Sequence, residues 1–440
     1  MLRATSLLAL GLMMWLFKGL AAGASPQAAA TLALGFLLLA AYLGGLLVRR
    51  LSLPKITGYL LVGVLAGPAG LHFVTSHDID QLRLVGEIAV ALIALAAGGE
   101  IRLPELKRYR SLLLKFGGAA IAFPMAIVIF GAILTSPWFP LTAGRPLTDV
   151  VAISLLLGVI AAAGSPAVAL AVISETGARG PLARAVLTVV VAKDVTVIVA
   201  FAVALSLGRA LVSDAGLDLE FVLAVGRRIA FSIMAGWALG WLASQYLKYV
   251  EREMVLFTLG TAFLAVELAH MLQLEAMLLT LTAGFFVENI APVRGERFVR
   301  AIEQSSLPVY AVFFALGGAG VHIEALREMW LWAALLIGLR AVGVLAAARW
   351  GAKEEPVVAR YGWCGLISQA GVALGLALMT RSVFPTWGAA LETLAVAMIA
   401  VHELIGPVLL RWGLSRAGEV EAEREPQPEE RLLAKSGVSV

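Results

Sequence analysis

Residues 185–207 read AVLTVVVAKDVTVIVAFAVALSL, an apolar stretch long enough to cross a lipid bilayer as a helix. Lys193 and Asp194 stand side by side near its midpoint. A charged side chain at the centre of a spanning helix costs about 2.5–3.5 kcal/mol on insertion scales unless it is paired or faces a polar cavity. Two adjacent ionisable residues at this depth indicate an ion or proton pathway. The structural alternative is an inert buried lysine–carboxylate pair.

The composition of the whole chain is that of a polytopic membrane protein. Of its 440 residues, 60% are hydrophobic and 15% are charged, and the mean hydropathy is +0.90. A soluble domain carries about 25% charged residues. The single cysteine, Cys364, excludes a disulfide framework and a multi-cysteine metal cluster. The net charge of +4 comes from basic residues in short loops, so we expect no nucleic-acid partner. We also expect no cofactor.

Apolar segments of spanning length recur along almost the whole chain. Residues 1–24 fit a signal peptide or an extra N-terminal helix about equally well, and residues 413–440 read as a short disordered tail. Between these ends, the sequence predicts an all-α transmembrane domain over residues 29–412 with thirteen spanning helices. They cover residues 29–48, 56–71, 84–99, 111–134, 149–172, 185–208, 221–247, 254–272, 275–291, 305–323, 329–350, 357–381 and 388–412.

The distribution of lysine and arginine predicts the orientation of these helices. Basic residues collect in the loop that contains Arg49 and Arg50 and in every second loop after it. Since cytoplasmic loops carry the excess of basic residues, we expect the first of the thirteen helices to start outside and the C-terminal tail to lie in the cytoplasm. The predicted location is the cell (inner) membrane, with many passes through the lipid bilayer.

A short internal similarity indicates two inverted repeats. Residues 97–107, AGGEIRLPELK, can be laid over residues 317–327, GGAGVHIEALR, and the predicted topology makes the two segments run in opposite directions. Six helices over residues 29–208, a linker helix over 221–247 and six more helices over 254–412 produce this inversion. Inverted repeats with a site at the bilayer midplane are typical of secondary transporters.

Two predicted helices are interrupted at matching positions of the two repeats. Gly164-Ser165-Pro166 breaks the fifth helix, where proline removes a backbone donor and clashes with the preceding turn. In the twelfth helix, residues 365–371 read GLISQAG, a small and polar island that contains Ser368, Gln369 and Gly371. Paired interruptions of this kind point to a transporter's binding site. Two harmless kinks with closely packed glycines are the alternative.

Four motifs resemble those of the monovalent cation:proton antiporters, the bacterial relatives of sodium/hydrogen exchangers, in the branch of the Kef-type potassium exporters. They are LPKITGYL at 53–60 with its continuation to Gly67-Pro68, GGEI at 98–101, SPAV at 165–168 and LIGP at 404–407. The similarity covers residues 29–412 in the right order. It implies the thirteen-helix sodium/proton antiporter fold, with two broken helices crossing in a mobile core domain, a dimerising scaffold domain and alternating access. It also implies a homodimer.

The resemblance further implies that a proton and an alkali cation, Na⁺ or K⁺, occupy Asp194 in turn. The sequence departs from the family at Lys193, because family members commonly have Asp, Asn or Gln before this carboxylate. Arg340 lies in a helix where the family often holds a basic residue, which gives it a charge-balancing role. Lys193 and Arg340 would give the site two positive groups and only one clear carboxylate, so the ratio of protons to cations exchanged stays open.

The residues allow a hypothesis for the exchange. Na⁺ or K⁺ binds Asp194 while Lys193, salt-bridged to it in the resting state, releases its proton or swings away. Ser165 and exposed carbonyls of the broken helices complete an oxygen shell. In the last helix, His402-Glu403 reads as an interhelical hydrogen bond or as a proton relay.

Two other functions stay open at this stage. One is an anion or channel-like pathway organised by Lys193 and Arg340, and the other is a transport-inactive sensor. We do not expect an enzyme, because the spans contain no nucleophile–base or metal-ligand constellation.

Overall fold

The computed structural model of the chain describes residues 2–20, 26–51, 53–108, 110–212, 219–250, 253–291, 296–321 and 323–420. Within these ranges the chain forms α-helices joined by turns, with no β-strand. The first nine helices are α1 (Leu2–Leu20), α2 (Pro26–Arg49), α3 (Lys55–Ala66), α4 (Ser76–Gln81), α5 (Arg83–Glu100), α6 (Leu103–Arg108), α7 (Arg110–Leu134), α8 (Leu147–Ala162) and α9 (Pro166–Thr176). The other nine are α10 (Pro181–Val212), α11 (Leu219–Tyr249), α12 (Met254–Met271), α13 (Ala276–Asn289), α14 (Glu296–Ala319), α15 (Ile323–Gly351), α16 (Pro356–Leu366), α17 (Gly371–Val383) and α18 (Gly388–Arg416).

Every predicted apolar segment coincides with a helix or with a pair of half-helices. Seven segments of the described chain are long and apolar enough to cross a membrane: Gln27–Arg49, Arg110–Leu134, Leu147–Thr176, Pro181–Val212, Met254–Met271, Met329–Gly351 and Gly388–Arg416. Further apolar helices are shorter, at Thr5–Phe17, Lys55–Ala66, Ala276–Asn289, Pro308–Ala319 and Val372–Arg381. The chain is therefore a multi-pass membrane protein, while the count of thirteen spans stays a prediction.

The long helices pack into two bundles. The core bundle consists of α7–α10 and α15–α18, and its two half-helix pairs, α8–α9 and α16–α17, lie between α7, α10, α15 and α18. The scaffold bundle consists of α2, α3, α5 and α11–α14. Most extensive contacts stay within one bundle. The principal contacts between the bundles are α10 with α11, α18 with α3, and α9 with α3 and α5.

Two glycine-mediated crossings in the scaffold bundle display the inverted repeat. A Cβ added at Gly98 of α5 would lie 2.0 Å from the Leu281 carbonyl oxygen of α13, and one at Gly284 would lie 2.1 Å from that of Leu95. The second crossing repeats this pattern between α14 and α3. There, a Cβ at Gly318 would lie 2.2 Å from the Leu60 oxygen, and one at Gly63 would lie 2.1 Å from the Ala315 oxygen.

This pairing agrees with the sequence overlay, in which Gly98 aligns with Gly318. The remaining helix contacts also occur in equivalent pairs: α2–α3 with α12–α13, α7–α8 with α15–α16, and α8–α10 with α16–α18. The inverted-repeat architecture predicted from the sequence is confirmed. The exact boundaries of the two repeats and the linker remain those of the prediction.

Two carboxylates bind the N-termini of distant helices. Both oxygens of Glu175, in the last turn of α9, accept hydrogen bonds from the Lys55 backbone N–H, at 2.8 and 2.9 Å. Pro54 at the N-cap of α3 has no side-chain cap of its own, so Glu175 takes that place and joins the core bundle to the scaffold. Glu419 similarly accepts from the N–H groups of Leu182 (2.7 Å) and Ala183 (2.8 Å) at the start of α10.

The chain ends are described only in part. Helix α1 packs against α2, with Met14 buried in the contact. Residues 22–24, the small-residue end of the possible signal peptide, lie outside the described residues, and whether residues 1–24 are cleaved stays a prediction. Residues 421–440 of the predicted disordered tail also lie outside them.

Substituting Gly98 by alanine should destabilise the protein, because the new Cβ would meet backbone atoms that cannot rotate away. Overpacking of this kind costs about 1–3 kcal/mol. Gly118→Ala is the matched control, since it places a methyl group on a helix where nothing lies within 4 Å. Thermal unfolding of the detergent-purified protein should show a lower Tm for Gly98→Ala only. Equal Tm values for both variants would contradict the close crossing.

Candidate ion-binding site

The first interruption lies between α8 and α9. Helix α8 ends at Ala162, residues 163–165 are not helical, and α9 begins at Pro166. Proline suits the first position of a helix, because its missing N–H would have no partner there. The Ser165 hydroxyl caps the new helix by accepting from the Val168 N–H at 3.3 Å. Gly164, Ser165 and Pro166 thus form the break that the sequence predicted.

The second interruption lies between α16 and α17, where residues 367–370 leave the helix. Ser368 and Gln369 are buried there, and Gly371 begins α17. Ser368 packs directly on α18, since a Cβ added at Gly406 would lie 2.0 Å from its Oγ. The two interruptions lie close together in the core bundle, as the paired positions in the sequence suggested, because Gln369 of the second one bonds to the end of α8.

Arg340 of α15 holds the two interruptions together. In the first half-helix pair, its Nε donates to the Ala161 carbonyl at 2.8 Å and its Nη2 donates to the Ala163 carbonyl at 3.0 Å. In the second pair, Nη1 donates to the Ile367 carbonyl at 2.7 Å and Nη2 donates to the Leu366 carbonyl at 2.8 Å. One fully buried guanidinium group thus satisfies carbonyls at the C-terminal ends of both α8 and α16.

This position explains why a positive charge is tolerated at the centre of the core. The C-terminal end of a helix carries a partial negative charge and unsatisfied carbonyls, and two such ends meet at Arg340. Its charge therefore balances two helix ends. No ion pair with Asp194 is present among the described side chains. The sequence indicated a charge-balancing role for Arg340 without indicating its partners.

Gln369 and His402 form a second connection across the site. Gln369 Nε2 donates to the Ile160 carbonyl of α8 at 2.8 Å, which fixes the orientation of its amide. The amide oxygen then lies 2.9 Å from His402 Nδ1, so Nδ1 carries the proton and donates. His402 Nε2 has no hydrogen-bond partner among the described residues. Of the two sequence interpretations of this histidine, the interhelical hydrogen bond is the one observed.

Glu403 does not join His402. Its carboxylate points away to the scaffold bundle, where a Cβ at Gly317 of α14 would lie 3.0 Å from Oε1. Adjacent residues of a helix point about 100° apart, so the sequence neighbours cannot share one face. The two residues therefore do not make a compact relay pair.

Lys193 and Asp194 lie on α10 beside the first interruption, and both are buried. The lysine side chain packs over Gly164, whose added Cβ would lie 2.6 Å from Cε and 3.0 Å from Nζ. The Gly164 N–H lies near the Asp194 carboxylate but falls short of hydrogen-bond geometry. Neither the ammonium group nor either carboxylate oxygen has a hydrogen-bond partner among the residues described.

The expected salt bridge between Lys193 and Asp194 is absent from the described contacts. The reason is the helix itself, because adjacent side chains diverge and cannot turn toward each other without leaving their rotamers. The alternative of an inert, closed ion pair does not describe this geometry either. The ammonium group and the carboxylate are therefore both buried without a hydrogen-bond partner among the described residues.

The arrangement has the chemical features of an exchangeable site. A buried carboxylate with no partner is strongly stabilised by anything that neutralises it, whether a proton or a metal cation. The broken helices place backbone atoms of Gly164 beside it. In the described part of the chain, no three His, Cys, Asp or Glu side chains come together as a metal site.

The comparison with known proteins agrees with this fold. Residues 35–414 match the family model described as sodium/hydrogen exchanger, transmembrane. The chain belongs to the sodium/hydrogen exchanger family. The match covers most of the chain, including both interruptions, α10 and all of α18 except its last two residues. The family consists of transporters, so membership supports cation:proton exchange and a transporter rather than an enzyme.

Solved structures show the same fold. The sodium/proton antiporter MjNhaP1 from Methanocaldococcus jannaschii at pH 8 matches with a TM-score of 0.63 and 18% identity, over 91% of this chain and 100% of that one. A structure of the same antiporter from electron microscopy matches with a TM-score of 0.65 and 18% identity, over 90% and 99% of the two chains. The predicted antiporter fold is thereby confirmed, whereas the Kef-type branch stays a prediction.

Replacing Arg340 by lysine should destabilise the protein despite keeping the charge. Lysine presents three donors at a single point and cannot reach four carbonyls on two half-helices. Leaving buried carbonyls unsatisfied should cost about 2 kcal/mol or more. Arg349→Lys is the control, because Arg349 lies exposed on the same helix. Thermal unfolding checks the result, and a Tm equal to that of the control would refute the role of the guanidinium group.

Proposed function

We propose that this protein exchanges a monovalent cation, Na⁺ or K⁺, for protons across a membrane, and that the two ions occupy Asp194 in turn. The state of the Asp194 side chain carries the proposal. It is completely buried and neither oxygen has a hydrogen-bond partner among the described residues. A proton and an alkali cation neutralise the same charge, so they compete for one site.

Backbone geometry suggests which oxygens accompany Asp194. Alkali cations in selective protein sites exchange their hydration shell for carbonyl oxygens. In the non-helical segment 163–165, Arg340 already engages the Ala163 carbonyl, and the Ser165 carbonyl accepts from the Ala169 N–H. The Gly164 carbonyl is the remaining one. We assign Gly164, the Ser165 hydroxyl and Asp194 as the candidate oxygen ligands.

Lys193 sets the strength of this competition. Its ammonium group is buried beside Gly164, so a charged Lys193 repels an incoming cation. The cation does not have to break a direct ion pair, because none joins Lys193 to Asp194 among the described contacts. Release of the lysine proton as the cation binds would lower the repulsion and add to the coupling.

The two-bundle architecture supports alternating access. The site lies inside the core bundle, which contacts the scaffold through a limited set of helix pairs. Movement of the core bundle past the scaffold would carry Asp194 between the two membrane faces without dismantling the site. The distribution of basic loops supports a location in the cell (inner) membrane with the C-terminus in the cytoplasm. A homodimer follows from the family resemblance.

An anion or channel-like pathway is the second candidate, and Lys193 is its specific support, because its ammonium group has no hydrogen-bond partner in the described part. Arg340, the other cation invoked for it, already donates to four carbonyls. A transport-inactive sensor is the third possibility. Measurements of ion flux in proteoliposomes distinguish the three functions, because only exchange requires both a transported cation and a proton gradient.

Replacing Asp194 by asparagine should abolish cation-dependent proton movement. Asparagine keeps the size of the side chain but can neither bind a proton nor neutralise a cation. The measurement is the quenching of a pH-sensitive dye in proteoliposomes after addition of Na⁺ or K⁺. Asp80→Asn, at an exposed site, is the control and should behave as wild type. Persistent exchange in Asp194→Asn would reject the central assignment.

Replacing Lys193 by glutamine should strengthen cation binding. Removing a positive charge beside the site relieves the repulsion of the bound cation. We expect a gain of about 1.4 kcal/mol in the free energy of cation binding, which corresponds to a tenfold lower KM for the cation. The cation dependence of the initial exchange rate in proteoliposomes measures this change. Lys353→Gln, at an exposed position, controls for loss of charge alone. An unchanged KM would mean that Lys193 does not act on the site.

A further inference from the structure

Glu403 is a buried carboxylate that the proposed exchange does not use. Only 8% of its surface is exposed, and it makes no hydrogen bond or ion pair with any residue in the described ranges. Oε1 lies over Gly317, where an added Cβ would come within 3.0 Å. An ionisable side chain inside a membrane, facing the protein interior without a counter-ion, is costly and therefore indicates a function.

Glu403 and Asp194 lie on equivalent helices of the two inverted repeats. Helices α10 and α18 are equivalent elements of the two repeats, and each lies against one interruption. Each carries a basic residue followed by an acidic one, Lys193-Asp194 and His402-Glu403. The basic residue of each pair contacts the interruption: Lys193 packs over Gly164, and His402 bonds to Gln369.

The two acidic residues differ in what they face. Asp194 is turned into the core bundle, whereas Glu403 reaches from α18 to α14 of the scaffold bundle. Residues 317–320 of the sequence, GGAG, offer no large side chain there. Glu403 therefore lies on the surface along which the core bundle would move against the scaffold.

Among the described residues, no charged side chain pairs with Glu403. Arg340 on α15 is engaged by carbonyls, and Glu175 on α9 binds the start of α3. Arg381 at the end of α17 pairs with Glu392 at 3.1 Å. The remaining titratable groups near α18 point to other neighbours: Tyr59 of α3 to Gly45, Cys364 of α16 to Gly413, and Tyr361 of α16 to Trp412.

We propose that Glu403 is a second proton-binding residue, and that its protonation permits the core bundle to move past the scaffold bundle. This inference rests on the proposed exchange by alternating access. An ionised carboxylate must keep its remaining contact with water, and moving it along α14 would remove that contact against a large desolvation penalty. The neutral acid can cross the same surface. Glu403 acts through the movement of the bundle, so it is a positioning residue and not a ligand of the transported cation.

The test is the pH dependence of exchange in proteoliposomes. Glu403→Gln imitates the neutral acid, so exchange should continue, and its decline on the alkaline side should shift upward by about one pH unit or more. Glu403→Asp keeps a titratable group and should keep a decline like that of wild type. Glu392→Gln is the control on the same helix and should leave the profile unchanged.

A second variant serves if Glu403→Gln does not fold. Gly317→Ala places a methyl group against Oε1 and disfavours the hydrated, ionised carboxylate, so its alkaline decline should also shift upward. Alkaline profiles of Glu403→Gln and Gly317→Ala that coincide with wild type would overturn the inference. A folded but inactive Glu403→Gln would overturn it too, because exchange would then need the charge. Neither result affects the proposed exchange, which fails if the wild-type protein shows no cation-dependent proton movement or if Asp194→Asn remains active.

Discussion

A helix that breaks inside a membrane leaves carbonyl groups where no water can reach them, and this protein breaks two. The Arg340 guanidinium group meets that constraint at both breaks, by donating to carbonyls of α8, α16 and the residues that follow each helix. Two negative helix ends in turn make a buried positive charge acceptable. The crossing of the half-helices and the arginine therefore depend on each other.

The hydrogen bonds around the crossing of the half-helices also determine which side chains are left without a hydrogen-bond partner. Gln369 donates a hydrogen bond to the Ile160 carbonyl and accepts one from His402, so both side chains have defined partners. Asp194 and Lys193 lie beside the same crossing with none among the described residues. A rigid backbone next to an unsatisfied carboxylate is a favourable arrangement for a ligand that must bind and leave, because little has to reorganise in either state.

The scaffold bundle is built on a different principle. Its helices approach at glycines until backbone meets backbone, at Gly98, Gly284, Gly318 and Gly63. Such close crossings maximise van der Waals packing where no hydrophobic effect drives helices together. Between the bundles, the described polar contact is the capping of α3 by Glu175, which lies at one end of the interface. Dense packing within each bundle and sparse contact between them suit a movement of one bundle against the other.

Sequence alone determined the features that depend on local chemistry. Apolar segments marked the helices, Gly164-Ser165-Pro166 and residues 365–371 marked the interruptions, and Lys193-Asp194 marked the centre. Tertiary structure decided the partners. In the tertiary structure, Arg340 donates to backbone carbonyls and does not pair with Asp194. Lys193 and Asp194 form no salt bridge with each other, and Glu403 points toward Gly317 and away from His402. Hydropathy and spacing report which residues lie at membrane depth, but a partner depends on side-chain direction and on which helix packs opposite, and these are set only when distant segments come together.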